Sequence, residues 1–481
     1  MCLSDKAFWS SNNKNNTIVQ MPEINQNAKY KDLRRRYPLF TFEGFSYRIQ
    51  GSFLHLEFHF ILGQEYEFFP KHEINIANYS LKEVSPDALN CLVFHIGMVE
   101  LISYWKAACP PVVRIKPFRL TSDQQEWWKK LYFNGLGEFF HLNGIEAHSA
   151  DFMSFTFEED AAKLPGPFSF ELTNELIVPV GGGKDSVVTL SILSNSQRDI
   201  SGMVINQRDA TRRCLQLAGL EHSTLEIQRS IDPQLLELNK QGFLNGHTPF
   251  SSVLAFVAAL ASIITRKKHI ALSNEASANE ATIPGTGINH QYSKSFEFES
   301  DFRWYLKNFI SADINYFSFL RPLNELQIAS LFAENTSYFK AFRSCNVGSK
   351  DDRWCCDCPK CLFTFTMLAP FVEHPNLVAI FGEDLWEKES LITFLEQLSG
   401  LTHEKPFECV GTIDEVNAAL DFIMQKKTGE RLPVLLKHYM DARGSRNNAS
   451  LENHMHYWNP EHALLDEFKD LLVKSLEKNQ L

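Results

Sequence analysis

No uninterrupted apolar run in this sequence approaches the roughly 18 residues that would span a bilayer. The N-terminus, with Asp5, Lys6 and a polar, asparagine-rich segment from Ser10 to Thr17, also lacks the apolar core of a signal peptide. The expectation is a cytoplasmic protein with no membrane partner. Positive charge is short as well: 47 Lys and Arg stand against 58 Asp and Glu, a formal net charge of −11. That balance disfavours an extended nucleic-acid footprint, and no nucleic-acid partner is expected. A disulfide framework is disfavoured by arrangement, since four of the ten cysteines crowd between Cys355 and Cys361, a pattern that points to metal in a reducing compartment. What remains is bulk. The 481 residues, 44% of them hydrophobic, suffice for two or three domains with large cores.

The most informative stretch is Leu176-Ile-Val-Pro-Val-Gly181-Gly182-Gly183-Lys184-Asp185-Ser186, followed by an apolar run to Leu193. A β-rich segment ends in three glycines and a helix begins. Glycine lets backbone approach a ligand closely, and a helix N-terminus offers unpaired N–H groups, so the combination makes an anion cradle. The Walker A spacing is absent. Gly182-Gly183-Lys184-Asp185-Ser186 instead resembles the Ser-Gly-Gly-x-Asp-Ser loop of the PP-loop ATP pyrophosphatases, which split ATP into AMP and pyrophosphate. The resemblance implies that Gly181, Gly182, Gly183, Lys184, Asp185 and Ser186 bind ATP and its pyrophosphate with Mg²⁺, Asp185 and Lys184 acting in catalysis. Gly181 stands where that family has its first serine.

Read in order, residues 1–38 are polar and expected to be partly without fixed structure, apart from contacts of Phe8 and Trp9. Residues 39–165 read as an α+β substrate domain. Phe45 to Gly51 and Phe53 to Phe60 alternate as antiparallel strands, with His55, Glu57 and His59 on one face, more simply solvated than metal-binding. Ser85-Pro86-Asp87 opens a helix that runs from Leu89 to Ala108 and stops at Cys109-Pro110-Pro111. Val112 to Leu120 reads as a strand, Ser122 to Gln125 as a capping box, and Trp127 and Trp128 as core.

From 166 to 375 strands alternate with helices, predicting an α/β fold with a doubly wound, mostly parallel sheet. Ligands in such sheets sit beyond the strand C-termini. That rule groups the Gly181 loop, Asn206-Gln207-Arg208 and Ser273 to Glu280. Asn274, Glu275, Asn279 and Glu280 are candidates for Mg²⁺ or a substrate amino group, and His290, Tyr292 and Lys294 for phosphate. A plain solvated polar side chain is the alternative for each. Residues 376–481 read as helical, without obvious chemistry.

The second signal is Cys345-x9-Cys355-x2-Cys358-x2-Cys361, with Cys356 a spare thiol inside it. Four thiolates suit a structural Zn²⁺, and filling all four positions leaves none for catalysis. Free buried thiols, or a redox or iron–sulfur role, are the alternatives. The spacing resembles the zinc site of the 7-cyano-7-deazaguanine synthases, themselves PP-loop enzymes.

A wider pattern is more particular. Phe94-His-Ile-Gly-Met-Val-Glu-Leu-Ile-Ser-Tyr-Trp-Lys106, Gly135-Leu-Gly-Glu-Phe-Phe140, Pro179 to Ser186, Gly246-His-Thr-Pro-Phe-Ser251 and Ser273 to Glu280 together resemble the UDP-N-acetylmuramoyl-L-alanyl-L-glutamate epimerases of peptidoglycan synthesis, from about residue 40 to beyond 440. The resemblance implies an isomerase. ATP would adenylylate the terminal glutamate α-carboxylate, neutralising the charge that makes its α-proton so weakly acidic; deprotonation, reprotonation from the other face and hydrolysis would then give the D-epimer, AMP and diphosphate. The UDP-N-acetylmuramoyl dipeptide is the expected partner, and Trp105, Lys106 and the turn at 135–140 would close over it. For the base the candidates are His290, Tyr292, Glu138 and Cys109. A deazaguanine nitrile synthase, a tRNA-modifying PP-loop enzyme and a non-catalytic nucleotide sensor are the rivals, and oligomeric state is open.

Overall fold

Strands β1 (Leu39–Gln50) and β2 (Phe53–Leu62) form a long antiparallel hairpin that turns through Gly51, whose φ is +60°. The computed structural model describes residues 26–283, 285–429, 431–444 and 450–478. Contacts divide the chain into two compact units. The first comprises the residues up to Glu73, Val84–Gly166 and Arg229–Val257; the second comprises Ile74–Glu83, Pro167–Gln228 and Ala258 onward.

In the first unit β3 (Tyr66–Phe68), β4 (Lys71–Asn75), β5 (Val112–Ile115) and β6 (Ser154–Phe157) join the hairpin in the order β4-β2-β1-β5-β6, with β3 beside β2. Along β2 Leu54, Leu56, Phe58 and Phe60 are buried, while His55, Glu57 and His59 share the other face and pair with Glu73, Lys71 and Glu67 at 3.2, 2.8 and 2.8 Å. That face is a row of charge pairs across neighbouring strands. The polar stretch ahead of Pro38 differs from expectation. A helix occupies Asn27–Arg36, burying Tyr30 and Leu33, while Phe8 and Trp9 lie outside the described residues.

The helix Pro86–Trp105 starts as its sequence requires, with the Ser85 hydroxyl accepting from Ala88 N–H and Pro86 in the first turn. It is 20 residues long, with mean hydropathy 1.3, long and apolar enough by composition to cross a membrane. In the sequence its apolar run is broken by Asp87, Glu100 and other polar side chains. Its apolar window is 94% buried, which makes it a core helix. Gly97 lets it approach the hairpin: a Cβ there would lie 2.4 Å from Phe42 Cζ and 2.9 Å from Phe58 Cδ1. Gly97→Ala is expected to destabilise the protein by about 1–3 kcal/mol through overpacking, measured as a lower urea midpoint.

Glu100 faces the interior of the same unit. Arg229 grips it with two bonds of 2.5 and 2.7 Å and His72 Nε2 lies 2.8 Å away. Burial alone would raise the Glu100 pKa, but Arg229 and His72 outweigh it and hold the value down to about 2, against an ordinary 4.5. Because the folded value is the depressed one, this carboxylate's contribution is complete above the unfolded value and drains away as pH falls from 4.5 toward 2. Arg229→Met should cost about 3 kcal/mol at pH 7 by stranding a buried charge. Urea titrations across pH should also show the acid-side loss of stability flattened in that variant.

The second unit holds a parallel sheet of β7 (Thr173–Pro179), β8 (Ile200–Ile205), β9 (Thr224–Ser230), β10 (Lys267–Leu272) and β11 (Asn315–Ser318), ordered β11-β10-β7-β8-β9. All four pairings are parallel. The helices Lys184–Leu193, Asp209–Leu217 and Phe296–Tyr305 lie in the connections. This is the α/β, mostly parallel arrangement that the alternating pattern predicted; β11 was not foreseen. Beyond it the chain is helical. Its apolar core runs from Leu176 on β7 to Leu472 in the last helix, taking in Cys345 and Cys361 on the way.

Candidate active site

Where strand order reverses in a parallel sheet, the connections leave for opposite faces and a crevice opens beyond the carboxyl ends of the two strands. The reversal here lies between β7 and β10. Segments 180–183 and 273–280 leave those two ends, so the structure brings the glycine loop and the Ser273 to Glu280 run together.

Gly183, in extended conformation, is the N-cap of the helix Lys184–Leu193, and no side chain caps that helix. Its leading N–H groups are therefore available to a guest anion. Gly182 has a φ of +82°, and a Cβ on it would stand 2.8 Å from Thr211 N. Thr211 belongs to the first turn of the helix Asp209–Leu217, also uncapped by a side chain. Two helix N-termini thus converge on one turn. Arg343 N–H donates to Gly182 O at 2.9 Å, and Ser344 Oγ would lie 2.9 Å from a Cβ on Gly183. Around Gly181 there is room: an added Cβ would meet nothing within 4 Å.

The side chains after the glycines turn inward. Lys184 is 2% exposed and donates to both Asp185 and Glu325. Burial would lower its pKa, but the two carboxylates hold it above the ordinary lysine value. One ammonium cannot neutralise two carboxylates. Burial pushes the Glu325 carboxyl up despite the pull of Lys184, with Asp185 and Glu275 adding to the rise. Ser186 Oγ donates to Gly183 O at 2.9 Å. Asp185 keeps 28% of its side chain exposed.

Among the other sequence candidates, Asn274 Nδ2 donates to Ser318 Oγ at 3.0 Å and Asn279 Oδ1 accepts from Phe296 N–H at 2.8 Å. Glu275 is buried and Glu280 is paired with Lys405. His290 and Tyr292 are buried, the His290 N–H donating to Thr282 Oγ1 at 2.9 Å. Lys294 Nζ lies 3.1 Å from Cys409 Sγ. Arg321, which sequence reading missed, ties the segment together: wholly buried, it donates to Glu275 O at 2.6 Å, to Glu299 at 3.2 Å and to Lys294 O. Arg208, which the sequence groups with this crevice, is half-buried; burial lowers its pKa and its guanidinium reaches Ser349 Oγ.

In the first unit Trp128 is wholly buried and stacks on Phe256 with 5.0 Å between ring centroids, so the tryptophan pair is core. Cys109 is fully buried too. Its Sγ donates to Lys106 O at 3.4 Å, and burial pushes the thiol well above its ordinary pKa. Glu138 and His247 approach to 3.4 Å, and Lys106 Nζ donates to Gly246 O.

Cys345, Cys355, Cys358 and Cys361 converge, with all four sulfurs within 4.8 Å of one another. A tetrahedral metal with bonds of about 2.3 Å would set sulfurs about 3.8 Å apart, and Cys355 and Cys361 are 3.7 Å apart. The N–H groups of Gly348 and Cys355 point at Cys345 Sγ at 3.1 and 3.4 Å, and that of Cys361 at Cys358 Sγ at 3.4 Å. Gly348 is required for this fold of the chain, since a Cβ there would lie 2.3 Å from Arg353 O. Cys356 turns away to Phe381 O at 3.3 Å, and burial pushes its thiol up to about 12.

Residues 31–319 match the MurL N-terminal domain and residues 336–453 the MurL C-terminal domain. A UDP-N-acetyl-alpha-D-muramoyl-L-alanyl-L-glutamate epimerase of Xanthomonas oryzae pv. oryzae is 35% identical over 375 residues, 76% of this chain and 82% of that protein. Proteins of the same name from a Micromonospora species and from Salinispora tropica are 34% and 32% identical, each over 71% of this chain and over 76% and 74% of their own lengths. With both domain matches in order on one chain, the protein belongs to the MurL family and is an isomerase of the epimerase class.

Proposed function

We propose that the protein epimerises the terminal L-glutamate of UDP-N-acetylmuramoyl-L-alanyl-L-glutamate, a peptidoglycan precursor, by an ATP-dependent route through an acyl adenylate, on a PP-loop pyrophosphatase fold in the cytoplasm. The observation that carries the reading is the glycine turn at the sheet's reversal point, on which two uncapped helix N-termini converge. Such a turn suits a polyphosphate. Gly181, Gly182, Gly183 and Ser186 would frame the pyrophosphate, with Arg208 beside it. Asp185, the loop carboxylate with an exposed edge, would hold Mg²⁺, which neutralises phosphate charge when bound. Lys184 sets the loop by holding Asp185 and Glu325. Adenylylation removes the carboxylate charge, so that the α-proton can leave without placing two negative charges on neighbouring atoms; each tenfold gain in rate needs about 1.4 kcal/mol. The four-cysteine cluster would hold a structural Zn²⁺ that pins the segment after Ser344 against the loop.

The test is pyrophosphate release from ATP and Mg²⁺ with the L-glutamyl dipeptide substrate, its D-epimer or 7-carboxy-7-deazaguanine, followed by chiral analysis of the glutamate. Release that depends on the dipeptide, with L converted to D, is expected. Release with the deazapurine alone would move the protein to the nitrile-forming class.

A further inference from the structure

Cys409 belongs to no motif in the sequence, yet its surroundings are unusual for a stray thiol. Cys91, Cys109, Cys214 and Cys356 are buried; among the described cysteines outside the metal-type cluster, Cys409 alone is partly exposed. Two lysines meet it. Lys294 Nζ lies 3.1 Å from its sulfur, and Lys360 Nζ donates to its carbonyl oxygen. An ammonium at that distance balances the charge of a thiolate, the reactive form of cysteine.

The segment carrying Cys409 is fastened to the nucleotide loop from two sides. Glu408 accepts from Asn346 at 2.7 Å, two residues beyond the Ser344 that abuts Gly183. A Cβ on Gly411 would stand 3.0 Å from Glu325 Cγ, and Glu325 is the partner of Lys184. An independent feature lies at the neighbouring Val410. Gln291 is 6% exposed, its Nε2 donates to Val410 O at 3.4 Å, and its buried Oε1 has no partner. A buried acceptor left open costs about 1–3 kcal/mol unless a ligand or water satisfies it.

We propose that Cys409, paired with Lys294, is a proton-transfer group of the epimerisation. This rests on the adenylating-epimerase reading above. The thiolate takes the α-proton of the activated glutamyl residue: the C–H bond breaks, an S–H bond forms, and the electron pair stays on the substrate as the enolate of the acyl adenylate. Lys294 stays an ammonium throughout and positions the sulfur. A proton from solvent, delivered to the opposite face, then gives the D-centre, and the Cys409 thiol returns its proton to solvent.

The experiment uses the full chain with ATP, Mg²⁺ and the dipeptide substrate in D₂O, following two readouts: substrate-dependent exchange of pyrophosphate into ATP, and deuterium at the glutamate α-carbon. For C409A and C409S, pyrophosphate exchange should stay within about threefold of the parent while deuterium incorporation falls at least about a hundredfold. K294M should lower deuterium incorporation alone by a smaller factor. Deuterium incorporation by C409A at the parental rate would overturn the proposal. So would loss of both readouts together, which would mean a structural role for the residue. If the parent itself shows no dipeptide-dependent exchange, the adenylating reading falls, an outcome visible before any variant is made.

Discussion

Gly182→Ala should reduce dipeptide-dependent pyrophosphate release about a thousandfold while leaving the protein folded. The backbone at Gly182 has a φ of +82°, where an L-residue pays roughly 1–2 kcal/mol. A methyl group there would also press to 2.8 Å from Thr211 N and 3.0 Å from its Cα. Both are main-chain atoms of a helix and cannot swing aside, so the loop itself must move. An ångström of misplacement in a catalytic frame costs about a hundredfold, and the loss of phosphate-directed N–H groups adds to it. Gly181→Ser supplies the contrast. Space surrounds Gly181, and the substitution restores the hydroxyl that PP-loop enzymes carry, so its rate should match or exceed the parent. Pyrophosphate assays and thermal melts on both variants check this. A Gly182→Ala protein with parental rate would remove the loop from the active site.

The second large effect is expected at the cysteine cluster. Cys361→Ser should abolish stoichiometric zinc and lower the melting temperature by more than about 10 °C, since a structural zinc in small modules contributes on the order of 10 kcal/mol. Cys361 is wholly buried and its neighbours Leu362, Phe363 and Phe365 are core residues, so disorder begun there spreads into the helices packed on it. Cys356→Ser should keep both the metal and the melting temperature, because that sulfur points to Phe381 O. Metal analysis by mass spectrometry with melts of the two variants separates the cases. A Cys361→Ser protein with unchanged zinc would show that the cluster is not its ligand set.

What the sequence showed and what it hid follow from range. The glycine turn, the Ser85 cap and the Cys-x2-Cys spacing are local, each depending on a few consecutive residues, so the pattern alone located them; the capping box read at Ser122 to Gln125 lies one residue earlier, on Thr121 and Gln124. The helix Asn27–Arg36 was overlooked because its basic residues mask a spacing of Tyr30, Leu33 and Tyr37 that is helical once burial is known. Other features depend on distant partners. Lys184 turns inward because Glu325, 141 positions later, receives it; a loop motif read alone would aim that lysine at phosphate. Cys409 carried no spacing signal at all, and only the fold sets Lys294 beside it. The segment Arg229–Val257 reads as a continuation of the strand and helix alternation, yet it packs with the first unit.

That last segment has a consequence for how the chain is made. Glu100 is wholly buried, and its guanidinium partner Arg229 is 129 residues downstream. At a ribosomal pace of about 5–20 residues per second, Glu100 waits on the order of ten seconds before Arg229 is synthesised. During that interval His72 is the partner at hand for the buried Glu100 carboxylate, while β7 and β8 of the second unit have already been made. The nascent protein therefore completes its first-encoded unit only after its second is under way. A chain released at residue 166 should fail to fold, and one released after 257 is the shortest that holds every segment of the first unit.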